Sequence, residues 1–123
     1  MAAGERILVV EDDIDLQDLL RFTLEGAGYA VSTANDGAEA LAFLEDATES
    51  QDLILLDLRM PDVDGMEFLR RRGETGAGDV PVVVLTAVDS EDALEEAFEL
   101  GADDYVTKPF RPRALRARVE RLL

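Results

Sequence analysis

Apolar runs of strand length alternate with helix-period patterns along the whole chain, which limits the fold to βα units around a parallel sheet. Ile7-Leu8-Val9-Val10 runs into Glu11-Asp12, and Tyr29 to Thr33 reads as a second strand. Leu53-Ile54-Leu55-Leu56 runs into Asp57, with no polar position, as suits a central strand buried on both faces. Val80 to Leu85 runs into Thr86, and Tyr105-Val106-Thr107 ends on Lys108. Between the strands, Leu16, Leu19, Leu20, Thr23, Leu24 and Ala27 recur at helical spacing and Gly28 closes the helix. Asp36 to Glu39 reads as a capping box before Ala40, Leu41 and Leu44. Asp64 and Glu67 repeat that cap ahead of Met66, Phe68 and Leu69, in a helix expected to end near Gly73. The glycine-rich stretch from Gly73 to Asp79 is expected to be the most mobile. Ser90 caps a fourth helix that carries Ala93, Leu94, Ala97 and Phe98 and stops at Gly101. A fifth turns Leu115, Val119 and Leu122 inward and its arginines outward. Residues 1–123 thus read as one domain of five βα units, with no repeat or linker.

In an open α/β sheet, ligands bind in the crevice at the carboxyl ends of the strands. Four of the five runs end there on residues that handle phosphate: Glu11 and Asp12, Asp57, Thr86, and Lys108. Three carboxylates held together repel, which raises their pKa values or calls for a cation. Magnesium suits such a set, because it takes one or two carboxylates, keeps waters and accepts phosphate oxygens. An ammonium at the same edge would stabilise a transferring phosphoryl group as a point charge. The plainer readings are a capping aspartate at Asp57, a solvated acidic edge, a solvated Lys108, and a Thr86 chosen for strand propensity.

Composition removes most other chemistries. The chain has no cysteine and no histidine, so disulfides, thiolate metal sites and Ser-His or Cys-His nucleophiles are excluded. For the same reason it cannot be its own phosphohistidine donor. A formal charge of −16, from 28 acidic and 12 basic residues, repels nucleic acid, so direct DNA or RNA binding is not expected. No apolar run approaches a membrane span and no signal-peptide pattern is present, so a cytoplasmic location is expected. The basic residues are 11 arginines and Lys108 alone. This balance fits either adaptation to high salt or an arginine-biased genome.

Taken together, Val-Val-Glu11-Asp12-Asp13, Leu-Leu-Asp57-Leu-Arg-Met-Pro-Asp-Val-Asp-Gly65, Leu-Thr86-Ala87 and Gly101-Ala-Asp-Asp-Tyr105-Val-Thr-Lys108-Pro109-Phe110 resemble the receiver domain of two-component response regulators. The resemblance covers nearly the whole chain in the family's order. It implies a doubly wound, five-stranded parallel sheet of order 2-1-3-4-5, with two helices on one face and three on the other. It implies that Asp57 accepts a phosphoryl group from a sensor histidine kinase. Asp12, Asp57 and the backbone carbonyl of Arg59 would bind Mg2+ directly, with Glu11 acting through water, and Mn2+ could substitute. Lys108, before a cis Pro109, would contact the phosphoryl group, and Thr86 and Tyr105 would form a switch pair. Arg59 and Val88, at positions that tune hydrolysis in the family, imply slow to intermediate self-dephosphorylation.

The 103–118 stretch also resembles the winged-helix transcription-factor subfamily, which dimerises on phosphorylation through its fourth helix, fifth strand and fifth helix. Asp104 with Arg118 would be a cross-dimer ion pair, or Asp104 simply a solvated turn residue. Leu94 and Ala114 stand where another pair is usual, Glu120 replaces a usual base, and the apolar spot could dock a different partner. An effector domain or partner protein outside this chain would carry the output. Two competing readings remain: a phosphorylation-independent interaction module, and an aspartate-nucleophile phosphohydrolase. The second is disfavoured by Arg59, where such enzymes place an acid.

Overall fold

The computed structural model describes residues 4–46, 50–58, 65–87 and 91–123. Its strands are β1 (Arg6–Val10), β2 (Ala30–Ala34), β3 (Leu53–Asp57), β4 (Val82–Ala87) and β5 (Asp104–Lys108). Its helices are α1 (Ile14–Gly26), α2 (Gly37–Asp46), α3 (Gly65–Arg71), α4 (Glu91–Glu99) and α5 (Pro112–Leu122). The strands form one sheet in the order β2-β1-β3-β4-β5, and all four pairings are parallel.

Alternation along the strands divides the core in two, because successive side chains point to opposite faces. Leu8, Val10, Ile54, Leu56, Val82 and Val84 pack under Ala40, Leu41 and Leu44 of α2, Phe68 and Leu69 of α3, and Ala97 of α4. Ile7, Val9, Leu53, Leu55, Val83 and Leu85 pack under Leu20 and Leu24 of α1 and Leu115 and Val119 of α5. The faces therefore carry three and two helices, as expected. No described helix is long and apolar enough to cross a membrane.

Local signals act where the sequence placed them. Gly28, at φ 100°, follows α1 in a left-handed turn in which Gly28 N donates to Glu25 O and Tyr29 N to Leu24 O. Glu39 N donates to Asp36 Oδ1 at 2.7 Å, and the Glu39 carboxylate reaches back to Asn35 N at 3.3 Å, one residue before the expected partner. Asp64 and Ser90, the other two expected caps, lie outside the described residues.

Several expectations shift. The second strand starts and ends one residue later than expected, and the fourth begins at Val82, after Pro81. Asp57 and Lys108 close their strands, and Thr86 stands one residue before the end of β4. Leu19 and Phe98 are 48% and 41% exposed, each outside the buried stripe of its helix. The helix α3 gives way at Arg72 to a 3-10 turn through Thr75.

Glycine-rich though it is, the stretch after that turn is tied down. Arg72 is only 6% exposed, and its guanidinium donates to Val80 O at 2.5 Å, Gly101 O at 3.4 Å and Ala77 O at 3.5 Å. Burial holds its pKa below the usual arginine value, while Asp103 and Asp79 oppose that shift. Three carbonyls thus substitute for the water a buried cation loses.

Candidate functional site

Parallel pairing brings the strand ends to one edge. Val10 is in register with Leu56, Asp57 with Leu85, Thr86 with Thr107, and Ala87 with Lys108. Glu11 follows directly on β1, and its N–H donates to Ala34 O at 3.0 Å, one step past the last β1–β2 pair. Glu11 is fully buried, Asp57 is 4% exposed and Thr86 5%, whereas Asp12 is exposed. Glu11, Asp12 and Asp57 can each offer a carboxylate oxygen such that all three lie within 4.8 Å of one another.

Lys108 closes the cluster. Its Nζ lies 3.0 Å from Asp57 Oδ2 and 3.4 Å from Glu11 Oε1. The following peptide bond, Lys108–Pro109, is cis, as the resemblance implies. Glu11 Oε2 accepts from Asp13 N at 3.1 Å, but Oε1, though near the ammonium, makes no hydrogen bond of good geometry. A buried carboxylate oxygen without a hydrogen bond is costly. The Glu11 carboxyl group clusters with those of Asp12 and Asp57, so the donor set fits a hard divalent cation. Arg59 lies outside the described residues.

Burial pushes the Glu11 carboxyl up to about 7; the Asp13 N–H and the Lys108 ammonium pull it down, and the Asp57 charge pushes it up. For Lys108, burial alone would lower the pKa, but the hydrogen bond to Asp57 and the charges of Asp57 and Glu11 outweigh it, and the net shift is upward. The ammonium is therefore fixed as a cation. Without metal, the folded chain holds the Glu11 proton more tightly than the unfolded chain does. That stabilisation is complete below about pH 4.5 and is lost as pH rises through about 7. Wild type minus Glu11→Gln unfolding free energy, from urea titrations in chelator, should fall by up to about 3 kcal/mol between these limits. A flat difference would place Glu11 at an ordinary carboxylate value.

Tight backbone packing frames the edge. A Cβ on Gly65 would lie 2.6 Å from Leu58 Cα and 2.8 Å from Asp57 O, so α3 starts against the very peptide that carries Asp57. Gly65 N also donates to Leu58 O at 3.2 Å.

On the face of α4, β5 and α5, Tyr105 is half-buried, its ring edge-on to Phe98 at 6.3 Å and beneath the Arg118 guanidinium at 5.9 Å. Asp104 is 5% exposed and pairs within the chain, with Arg118 at 3.1 Å and with Arg121. It is not a solvated turn residue. Leu94 is half-buried and Ala114 exposed. Val88 lies outside the described residues.

Two polar residues that sequence reasoning passed over belong to this framework: Arg72, above, and Gln17, whose Nε2 donates to Glu11 O at 2.9 Å and Asn35 Oδ1 at 3.0 Å. Both lie on inward stripes, Gln17 with Leu20 and Leu24, and Arg72 with Phe68 and Leu69. A polar residue on an apolar stripe was the available signal.

Known proteins share this arrangement. The response regulator receiver domain family matches residues 7–120. The chain is 45% identical over 120 residues to the alkaline phosphatase synthesis transcriptional regulatory protein PhoP of Bacillus subtilis, covering 98% of this chain and 49% of that protein. It is 44% identical over 118 residues to the response regulator MprA of Mycobacterium leprae, covering 96% of this chain and 50% of the relative. It thus spans about half the length of these curated relatives. Among solved structures, chemotaxis protein CheY4 of Vibrio cholerae superposes with a TM-score of 0.88 at 35% identity, over 98% of this chain and all of that one. The receiver domain of a sensor histidine kinase of Pseudomonas aeruginosa superposes at 0.85 with 34% identity, over 98% of each chain, and has a magnesium ion coordinated in its active site cleft. With the sheet order, the carboxylate cluster and these matches in agreement, the chain belongs to the response regulator receiver domain family.

Proposed function

We propose that this receiver accepts a phosphoryl group on Asp57 from the phosphohistidine of a sensor kinase, and that the resulting acyl phosphate alters the α4-β5-α5 face. The observation that carries the reading is Lys108 Nζ at 3.0 Å from Asp57 Oδ2, beside the Glu11 oxygen that lacks a hydrogen bond. A carboxylate oxygen of Asp57 attacks phosphorus, the P–N bond to the donor imidazole breaks, and the electron pair stays with the imidazole nitrogen. Asp57 has its nucleophilic oxygen fixed by a strand end instead of a loop, which meets the positioning that phosphoryl transfer demands. Lys108 lies where it can neutralise charge on the transferring group. Asp12, Asp57 and the Arg59 carbonyl, with Glu11 acting through water, would hold Mg2+, whose charge would draw the phosphoryl oxygens and the acids together. Thr86, one residue past the partner of Asp57 on β4, would donate its hydroxyl to a phosphoryl oxygen, with Tyr105 following on the adjoining strand.

The output face supports a self-complementary contact between two copies. Five of the nine α4 residues are acidic and none is basic, whereas α5 carries Arg113, Arg116, Arg118 and Arg121 against Glu120. An isologous pairing would set the acidic helix of one copy on the basic helix of the other. Because Asp104 already holds Arg118 and Arg121 in its own chain, a cross-copy Asp104–Arg118 pair would have to exchange with that contact.

The test is intact mass after incubation with acetyl phosphate, with and without magnesium, beside Asp57→Asn. One added phosphoryl group requiring both magnesium and Asp57 is the expected result. No addition, together with no binding of beryllofluoride, would favour a phosphorylation-independent interaction module. Turnover of a small phosphate ester would favour a phosphohydrolase.

A further inference from the structure

We infer that Gln17 is a positioning residue for the carboxylate cluster, fixing the Glu11–Asp12 peptide from which two of its three acids project. This inference rests on the metal reading above. Pairing of β1 with β2 ends at Val10 and Ala34, so the Glu11 carbonyl has no strand partner at that step. Gln17, 7% exposed on the inward stripe of α1, supplies one. Its Nε2 donates to Glu11 O at 2.9 Å and to Asn35 Oδ1 at 3.0 Å, with Ala34 O a third acceptor at 3.4 Å. The Glu11 N–H is itself held by Ala34 O at 3.0 Å. Glu11 is thereby fixed at both ends of its backbone, and the amide extends the sheet ladder by one side-chain rung.

Asp12 gains most from this. Its side chain is exposed, so no packing places it, and its position follows from the backbone that carries it. Rotation of the Glu11–Asp12 peptide would carry that carboxylate away from Glu11 and Asp57. Asn35 is in turn braced by Glu39 of α2, through Asn35 N to Glu39 Oε1 at 3.3 Å and Asn35 Nδ2 to Glu39 Oε2 at 3.5 Å. The rung thus joins β1, α1, the end of β2 and α2 at one point.

Groups that orient metal-bearing residues typically change affinity by about 10–100-fold when removed. The experiment is direct titration with Mn2+, read as free Mn2+ by electron paramagnetic resonance, at a temperature well below unfolding. Wild type, Gln17→Met and Leu24→Ala are compared. Gln17→Met keeps the length and loses the donor, and should weaken Mn2+ by about 10-fold or more. Leu24→Ala destabilises the same helix through a core residue and should leave the Mn2+ affinity within about 2-fold, separating positioning from general loss of stability. If Gln17→Met does not fold, Gln17→Asn retains the amide but withdraws it by one methylene, and should weaken Mn2+ by about 3-fold or more. Gln17 variants that bind Mn2+ as wild type does would overturn the inference and leave the proposed function standing. Wild type that binds no Mn2+ would take down both.

Discussion

Gly65→Ala should cost about 3 kcal/mol or more of unfolding free energy, at the upper end of overpacking penalties. The added methyl meets Leu58 Cα at 2.6 Å and Asp57 O at 2.8 Å, which are backbone atoms of the central strand's exit and not the flexible end of a side chain. Either α3 backs away, loosening Phe68 and Leu69 from the core, or the Asp57–Leu58 peptide rotates and takes the carboxylate out of reach of Lys108. Both routes damage the site, so loss of stability should be accompanied by slower phosphorylation of the fraction that remains folded. Gly26→Ala is the matched control. It closes α1 with nothing within 4 Å of an added Cβ, and should stabilise by about 0.5–1 kcal/mol. Urea unfolding of the two variants beside wild type reads both signs at once. Equal midpoints would contradict the close packing of α3 on β3.

Lys108→Met should produce the second large effect, and its size depends on pH and metal. The substitution leaves Glu11 and Asp57, both buried, facing each other without a cation. Breaking a buried pair typically costs about 3–5 kcal/mol; with the lysine side chain 31% exposed, about 2–3 kcal/mol at pH 8 in chelator is the better expectation. Near pH 5 the Glu11 carboxyl, already raised to about 7, takes up a proton and most of the penalty disappears. Millimolar magnesium should restore stability at pH 8, because a divalent ion replaces the lost charge. Phosphorylation should remain slow even then, since the ammonium at the phosphoryl position is missing. A variant as stable as wild type at pH 8 without metal would mean that the ammonium does not offset the two acids.

Much of this site was legible in the sequence because its parts end strands. A strand's period and its last residue are local features, and parallel order converts local ends into one shared edge. That is why Glu11, Asp12, Asp57, Thr86 and Lys108 could be named before any coordinates. Gln17 and Arg72 were not, because their roles are set by carbonyls from distant segments: Asn35 and Ala34 for one, Val80 and Gly101 for the other. Helical spacing grouped Leu19 with Leu16, Leu20 and Leu24, and Phe98 with Ala97, but how wide a stripe a helix buries depends on its neighbours. Helix α4 buries only Ala97 among the described residues, so Phe98 stays at the surface against Tyr105. Asp104 read as a cross-copy partner of Arg118 or a solvated turn residue, because its pairing inside the chain depends on how α5 folds back to bring Arg118 and Arg121 onto β5.

Lys108 has one consequence for the bench. Apart from the amino terminus, it is the only primary amine in these 123 residues. Reagents that acylate or reductively methylate amines, ordinarily indiscriminate, therefore have a single side-chain target here. Their target is clasped between Asp57 and Glu11, so the speed with which an amine tag goes on reports how tightly that clasp is closed. The sheet edge thus carries its own chemical probe of occupancy, with no engineered label.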